Sequence, residues 1–123
     1  MVFDAARRHL VLFGGDNGAP NGETWEWHDN TWRFVTANGP SPRKDHSMVF
    51  DVDAHHVVLF GGFDGERRGD TWEWDGTRWT LVSDSGPSPR MEHAMAYDAD
   101  RHRLVLFGGD DGVTRGEIGR AHV

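Results

Sequence analysis

The chain contains no cysteine, which excludes disulfide bonds and thiol chemistry within its 123 residues. It has no apolar run of about 18 residues, the length that a membrane-spanning helix needs. Basic residues are outnumbered, because 13 Lys and Arg stand against 20 Asp and Glu and give a net charge of −7. Nucleic-acid binding needs a positively charged surface, so this composition argues against a nucleic-acid partner.

A sustained helical period is also absent, and the pattern that the chain does contain returns every 47 residues. A fixed period of this size is typical of repeat architectures. Four motifs recur at matching positions: Met-Val-Phe-Asp at 1–4 and 48–51, with Met-Ala-Tyr-Asp at 95–98; Val-Leu-Phe-Gly-Gly at 11–15, 58–62 and 105–109; Thr-Trp-Glu-Trp at 24–27 and 71–74; and Gly-Pro-Ser-Pro-Arg at 39–43 and 86–90. A residue found in every copy is most simply explained as part of the scaffold.

Each copy predicts four short antiparallel strands joined by tight turns. In the second copy, runs rich in β-branched and aromatic residues predict strands at 48–51, 57–60, 71–74 and 79–82. Asp75-Gly76 predicts a hairpin between the last two strands, and the prolines of the following linker keep it out of a sheet. Four-stranded units that bury their faces against one another are typical of a β-propeller.

Glycine doublets and tryptophans carry a resemblance to kelch repeats, the roughly 50-residue blades of one β-propeller family. These residues are Gly14, Gly15, Gly61, Gly62, Gly108 and Gly109, with Trp25, Trp27, Trp32, Trp72, Trp74 and Trp79. The resemblance implies an all-β fold of kelch-type blades, with repeat 1 at 1–47, repeat 2 at 48–94 and a partial repeat 3 at 95–117. The fixed positions of the tryptophans indicate core packing rather than a sugar-binding platform.

The repeats amount to about 2.6 blades, whereas propellers typically close with four to eight. We therefore expect an open fragment of a larger propeller, whose uncovered sheet faces favour self-association. The pattern breaks at Ile118, where Thr-Trp-Glu-Trp is expected. Residues 118–123 resemble a translated sequencing adapter, so we expect a non-native tail there; the alternative is a natural short tail.

The resemblance also implies a binding face, because kelch propellers often bind partners through the loops after the second strand and the linkers between blades. Arg43 and His46 recur as Arg90 and His93, just before an innermost strand. In a functional interpretation they form a ring that grips a carboxylate, which Arg binds bidentately. In a structural interpretation they tie neighbouring blades through backbone carbonyls and the repeated aspartates at 4, 51 and 98. Their repetition favours the structural interpretation.

Positions that differ between copies are better candidates for binding specificity. Lys44 and Met91 occupy the same place in the two linkers, and Arg67 and Arg68 have no match in the first loop. The acidic loops after the glycine doublets lack the full ligand pattern of a calcium site, and turn chemistry explains them. The eight histidines show no zinc-site spacing, so we expect no metal and no cofactor.

Three functions fit this pattern. The first is a non-catalytic module that binds a protein or peptide through loops on one propeller face. The second is part of a kelch-fold enzyme, an oxidase or a sugar isomerase, with its catalytic residues in other blades. Galactose-oxidase-like proteins need a Tyr–Cys cross-link, and this segment has no Cys and a single tyrosine, Tyr97, in a repeated aromatic position. The third is a structural repeat scaffold.

Overall fold

A computed structural model describes residues 1–112 and the backbone of 121–122. The described residues are all-β and form three antiparallel sheets, here called blades 1 to 3, arranged as an open, partial β-propeller. The all-β prediction is confirmed. Blade 1 contains β1 (Val2–Asp4), β2 (His9–Phe13), β3 (Thr24–His28) and β4 (Thr31–Thr36). Blade 2 contains β5 (Ser47–Asp51), β6 (His56–Phe60), β7 (Thr71–Trp74) and β8 (Trp79–Ser83). Blade 3 contains β9 (Ala94–Asp98), β10 (Arg103–Phe107) and β11 (Ala121–His122).

The strands follow the sequence period closely, since β2, β6 and β10 begin at equivalent positions. Blades 1 and 2 are up-and-down sheets in which each strand pairs with the next one along the chain. Both carry an irregularity at the same place, after Thr24 in β3 and after Thr71 in β7. The sequence repeat is therefore also a structural repeat, and blades 1 and 2 share the shift in strand register at equivalent residues.

The turn between the first two strands of each blade is held by a repeated aspartate. The Asp4 carboxylate accepts hydrogen bonds from the backbone of Ala6 and Arg7, and Asp51 and Asp98 cap their own turns in the same way. Short acidic side chains stabilise turns by this contact. The interpretation that the linker arginines bond to these aspartates is wrong for Arg43, which bonds to Asp70 instead.

The hairpin predicted at Asp75-Gly76 forms, but its loop has four residues. Trp74 pairs with Trp79, and the Asp75 carboxylate accepts hydrogen bonds from the backbone of residues 77 and 78. Blade 1 closes the equivalent hairpin with two residues, Asp29 and Asn30, both at positive φ. That backbone matches the right-handed twist of the flanking strands.

Tryptophans of blade 2 form the core against blade 1. The buried cluster joins Val11 and Phe13 of blade 1 to Val57, Leu59, Trp74 and Trp79 of blade 2. Trp74 donates its indole N–H to Glu26 at 3.1 Å, and Trp79 donates to the hydroxyl of Thr24 at 2.8 Å. Each indole thus buries a large apolar area and still satisfies its one polar group.

The same residues in blade 1 lie on an outer face. Trp27 and Trp32 pack edge to face at 5.3 Å, yet Trp32 remains 39% exposed. Phe3 and Phe34 are also exposed, as are Leu81, Val82 and Phe107 in blades 2 and 3. Core packing thus holds for the blade 2 tryptophans, whereas the blade 1 set forms an apolar surface of the kind that favours association.

The tail departs from the register of the other blades. Phe13 and Phe60 pair with Thr24 and Thr71, so the period places residue 118 opposite Phe107. Ala121 stands opposite Phe107 instead, three residues later. The expectation of a non-native tail at 118–123 stays a prediction, because residues 118–120 and 123 lie outside the described residues.

We expect Trp74→Phe to lower the free energy of unfolding by about 2–3 kcal/mol, because it leaves a cavity and removes a hydrogen bond to the buried carboxylate of Glu26. Trp27→Phe, at the equivalent position of blade 1, should change it by less than about 1 kcal/mol. Urea unfolding followed by circular dichroism measures both. Equal losses in the two variants would contradict the inter-blade role of Trp74.

Candidate functional site at the linkers and loops

The linker between blades 1 and 2 is hydrogen-bonded on both of its sides. Arg43 donates its backbone N–H to the Asn21 carbonyl at 3.2 Å and accepts from the Gly15 N–H at 2.9 Å, both in the loop of blade 1. Lys44 exchanges two backbone hydrogen bonds with Phe63 of blade 2, at 3.0 and 2.8 Å. The linker therefore lies as a short extended segment between the loops of consecutive blades.

The linker between blades 2 and 3 repeats this pairing. Arg90 bonds through its backbone to Arg68 and Gly62, at 3.0 and 2.9 Å. Met91 exchanges two backbone bonds with Asp110 of blade 3, at 3.0 and 2.7 Å. The glycines fit the linkers closely, since a Cβ on Gly62 would lie 2.9 Å from the Lys44 carbonyl oxygen.

The Arg43 side chain clamps blade 2 to this linker. Its guanidinium donates to the carbonyl of Gly61 at 3.0 Å and to both carboxylate oxygens of Asp70, at 2.6 and 2.9 Å. Its remaining donors bond to the carbonyl and hydroxyl of Ser41, and the residue is 1% exposed. A bidentate guanidinium–carboxylate pair is strong and geometrically specific.

Asp70 is held in its ionised form by this contact. Burial raises the pKa of Asp70, but the hydrogen bonds from Arg43 and Trp72 outweigh that effect and keep the pKa below its usual value. The Trp72 indole donates to the same carboxylate at 2.8 Å. Gly61, Asp70 and Trp72 thus form a three-part receptor for one guanidinium.

Arg90 repeats the clamp on blade 3. Its guanidinium donates to the Gly108 carbonyl at 3.0 Å and to the carbonyl and hydroxyl of Ser88. It is 9% exposed. Residue 117, which the period matches to Asp70, lies outside the described residues.

The two linker histidines pack back onto the blade they leave. His93 bonds through Nε2 to the Phe60 carbonyl at 2.8 Å, and the rings of His46 and His93 lie edge to face on Phe13 and Phe60. Burial lowers the pKa of His46 to about 4, against the opposing effect of its hydrogen bond with the Phe13 backbone. Burial likewise lowers the pKa of His93. Both imidazoles are therefore neutral at neutral pH.

Charged side chains join the loops across the surface. Lys44 pairs with Asp16 of blade 1 at 3.4 Å, and Arg67 of blade 2 pairs with Asp110 of blade 3 at 3.2 Å. Arg68 bonds to Asp64 of its own loop at 2.8 Å. The Lys44–Asp16 and Arg67–Asp110 pairs are exposed, where each contributes little stability and can exchange partners. The Asp64 side chain is only 7% exposed and also accepts a hydrogen bond from the Ser41 hydroxyl.

A cleft of about 440 Å³ opens beside the second loop. It is lined by residues 67–70, Leu81, Asp84 and 86–89. The exposed Leu81 lines the same cleft as Arg67 and Arg68 and supplies an apolar surface there. The cleft therefore combines a charged rim with an apolar wall.

The sequence-based candidates separate into two sets. Arg43, Arg90 and His93 are buried and bonded within the chain, and His46 is packed against Phe13. Lys44, Arg67, Arg68 and Met91 lie at the loop surface. Sequence reasoning missed Asp70 as the partner of Arg43, although its signal was present: positions 23, 70 and 117 are all acidic.

Three acidic loop side chains cap their own turns. Asp16, Asp64 and Asp110 each accept a hydrogen bond from a backbone N–H two residues later. In the described ranges no group of three or more His, Cys, Asp or Glu side chains could hold a metal ion. Nor does that part of the chain contain a helix with the length and hydrophobicity to cross a membrane.

No protein-family model and no curated protein matches the chain. The internal repeat therefore provides the comparison for each position, because equivalent residues of the three blades can be compared with one another.

We expect Arg43→Gln to lower the free energy of unfolding by about 2–4 kcal/mol, because it leaves Asp70 and the Gly61 carbonyl without their cation. Arg33→Gln, on an exposed stretch of β4, should change it by less than about 0.5 kcal/mol. Chemical denaturation of the two variants and the parent chain makes the comparison. An unchanged free energy of unfolding in Arg43→Gln would contradict the role assigned to this guanidinium.

The pKa of His46 also predicts a pH dependence. Its value of about 4 in the folded chain lies below the ordinary value of 6.5, so protonation favours the unfolded state. The contribution of the neutral His46 imidazole to the free energy of unfolding is complete above pH 6.5, and it is lost as the pH falls from there toward 4. The His46→Gln variant should show a shallower loss of stability across this window than the parent and His28→Gln. Identical pH profiles for all three would contradict the burial of a neutral imidazole.

Proposed function

We propose that the chain is a non-catalytic kelch-repeat interaction module that binds a protein or peptide through the loops on one face. The kelch assignment is supported by the glycine doublets and tryptophans at fixed blade positions, within sheets of the expected strand order. The binding role is supported by one observation above all: the loops of three blades and both linkers are joined into a single edge by backbone pairing. A rigid scaffold that presents loops of differing sequence suits recognition.

The blades share their scaffold residues but differ at the loop surface. Phe63 of blade 2 stands where blades 1 and 3 carry Asp16 and Asp110, and Arg67 stands where blade 1 carries Pro20. The second loop is therefore the distinctive one, and it borders the cleft described above. An extended peptide fits this place when a carboxylate approaches Arg67 and Arg68 and an apolar side chain contacts Leu81.

The proposal predicts a defined sensitivity to loop charge. Peptides selected from a displayed random library against the purified chain should lose at least about tenfold in affinity toward the Arg67→Ala/Arg68→Ala variant, because charge-assisted hydrogen bonds are lost. Arg78→Ala, on the exposed hairpin of blade 2, should bind them as the parent does. Isothermal titration of the selected peptides measures both effects. A library that yields no saturable binder, or binders indifferent to Arg67 and Arg68, would reject this face as the binding site.

A further inference from the structure

The outer face of blade 1 contains an open cavity of about 430 Å³. Its lining includes Leu12, Gly14, Asn21, Glu23 and Trp25. In the repeat, this is the place where a linker arginine enters blades 2 and 3. The cavity can therefore be compared with two filled examples in the same molecule.

Blade 2 shows what the site binds. There the Arg43 guanidinium lies between the Gly61 carbonyl, at 3.0 Å, and the Asp70 carboxylate, at 2.6 and 2.9 Å. Trp72 donates its indole N–H to the same carboxylate and fixes its orientation. In blade 3 the Arg90 guanidinium reaches the equivalent carbonyl, also at 3.0 Å.

Blade 1 carries the same three receptor groups. The period matches Gly61 to Gly14, Asp70 to Glu23 and Trp72 to Trp25. The Trp25 indole donates to the Glu23 carboxylate at 3.1 Å, as Trp72 does to Asp70. Asn21 accepts from the Glu23 backbone at 2.6 Å and holds this stretch in place. In the described ranges no cationic side chain pairs with Glu23, so its carboxylate faces the open cavity.

The backbone around the cavity also matches a linker-binding surface. A Cβ on Gly62 or Gly109 would lie 2.9 or 2.8 Å from a linker carbonyl oxygen, whereas a Cβ on Gly15 would meet nothing within 4 Å. Asp16 occupies the position of Phe63 and Asp110, each of which exchanges two backbone hydrogen bonds with the residue after the linker arginine. The surface has room for an arginine and for one extended residue after it.

We propose that this cavity binds the arginine of an extended Pro-Ser-Pro-Arg-type segment that lies outside residues 1–123. The guanidinium bridges the Glu23 carboxylate and the Gly14 carbonyl, and the next residue pairs with the Asp16 backbone. A second copy of this chain is a poor source, because Arg43 and Arg90 are already bonded within it. The site is independent of the cleft beside Arg67 and Arg68, so either proposal can fail alone.

The probe is a fluorescein-labelled peptide, Gly-Pro-Ser-Pro-Arg-Lys, which copies residues 39–44. Titrated with the full chain and followed by fluorescence anisotropy, it should bind at least about tenfold more tightly than the same peptide with Gln in place of Arg. Glu23→Gln should abolish this difference. Glu23→Asp should retain it, because Asp70 performs the same role in blade 2, and Glu66→Gln in the second loop should behave as the parent. Retained peptide binding by Glu23→Asp would show that the loss in Glu23→Gln comes from the binding site and not from unfolding of the chain.

Several outcomes would overturn the proposal. Absence of saturable binding, equal affinity for the Arg and Gln peptides, or unchanged binding by Glu23→Gln would each reject a guanidinium site. Sedimentation velocity tests the source of the arginine. If Glu23→Gln abolishes self-association of the chain, a second copy supplies the arginine and the proposed separate segment is wrong; an unchanged sedimentation profile supports it.

Discussion

The guanidinium of Arg43 is the interaction on which the rest of the structure depends. A four-stranded sheet with two apolar faces is not stable alone in water, so each blade must be fixed against its neighbours. Arg43 does this at the point where the chain passes from one blade to the next, since its backbone pairs with blade 1 while its side chain bonds to Gly61 and Asp70 of blade 2. The linker prolines and the glycine doublet bring the two blades close enough for that contact.

The tryptophan core follows from the same arrangement. Once the linker sets the spacing of the blades, Trp74 and Trp79 reach across to Glu26 and Thr24, and the apolar residues of β2 and β6 are covered. Glu26 also pairs with Arg7 and His9 of its own blade, so its buried carboxylate is fully compensated. Polar contacts thus fix the register of the blades, and apolar burial supplies most of the stabilisation.

Much of the fold was predictable because the sequence repeats. The positions of β6, β7 and β8 follow from β-branched and aromatic runs between turn residues, and the period extends this assignment to the other blades. The partner of Arg43 was harder to predict, because a linker side chain can face the propeller channel or the next blade, and sequence spacing does not distinguish the two. The roles of Asp4 and Asp70 were not predicted, because both are repeated acids and sequence spacing does not show which of them lies near an arginine of the linker. Asp4 caps a local turn, whereas Asp70 accepts hydrogen bonds from the guanidinium of Arg43, 27 residues earlier in the chain. The exposure of Trp32 and the open cavity at Glu23 depend on which blades are in contact, which a per-repeat pattern does not contain.

Native-state hydrogen exchange tests most directly the claim that the linkers couple the blades into one cooperative unit. The amides of Arg43, Lys44 and Phe63 form the backbone bonds that hold the linker to blades 1 and 2, and the amide of Val58 lies in the buried strand β6. If the coupling is correct, all four should open with free energies that agree within about 1 kcal/mol, because no linker bond breaks without opening the blades. Exchange of Arg43, Lys44 and Phe63 through a much easier local opening, with Val58 still protected, would contradict the account.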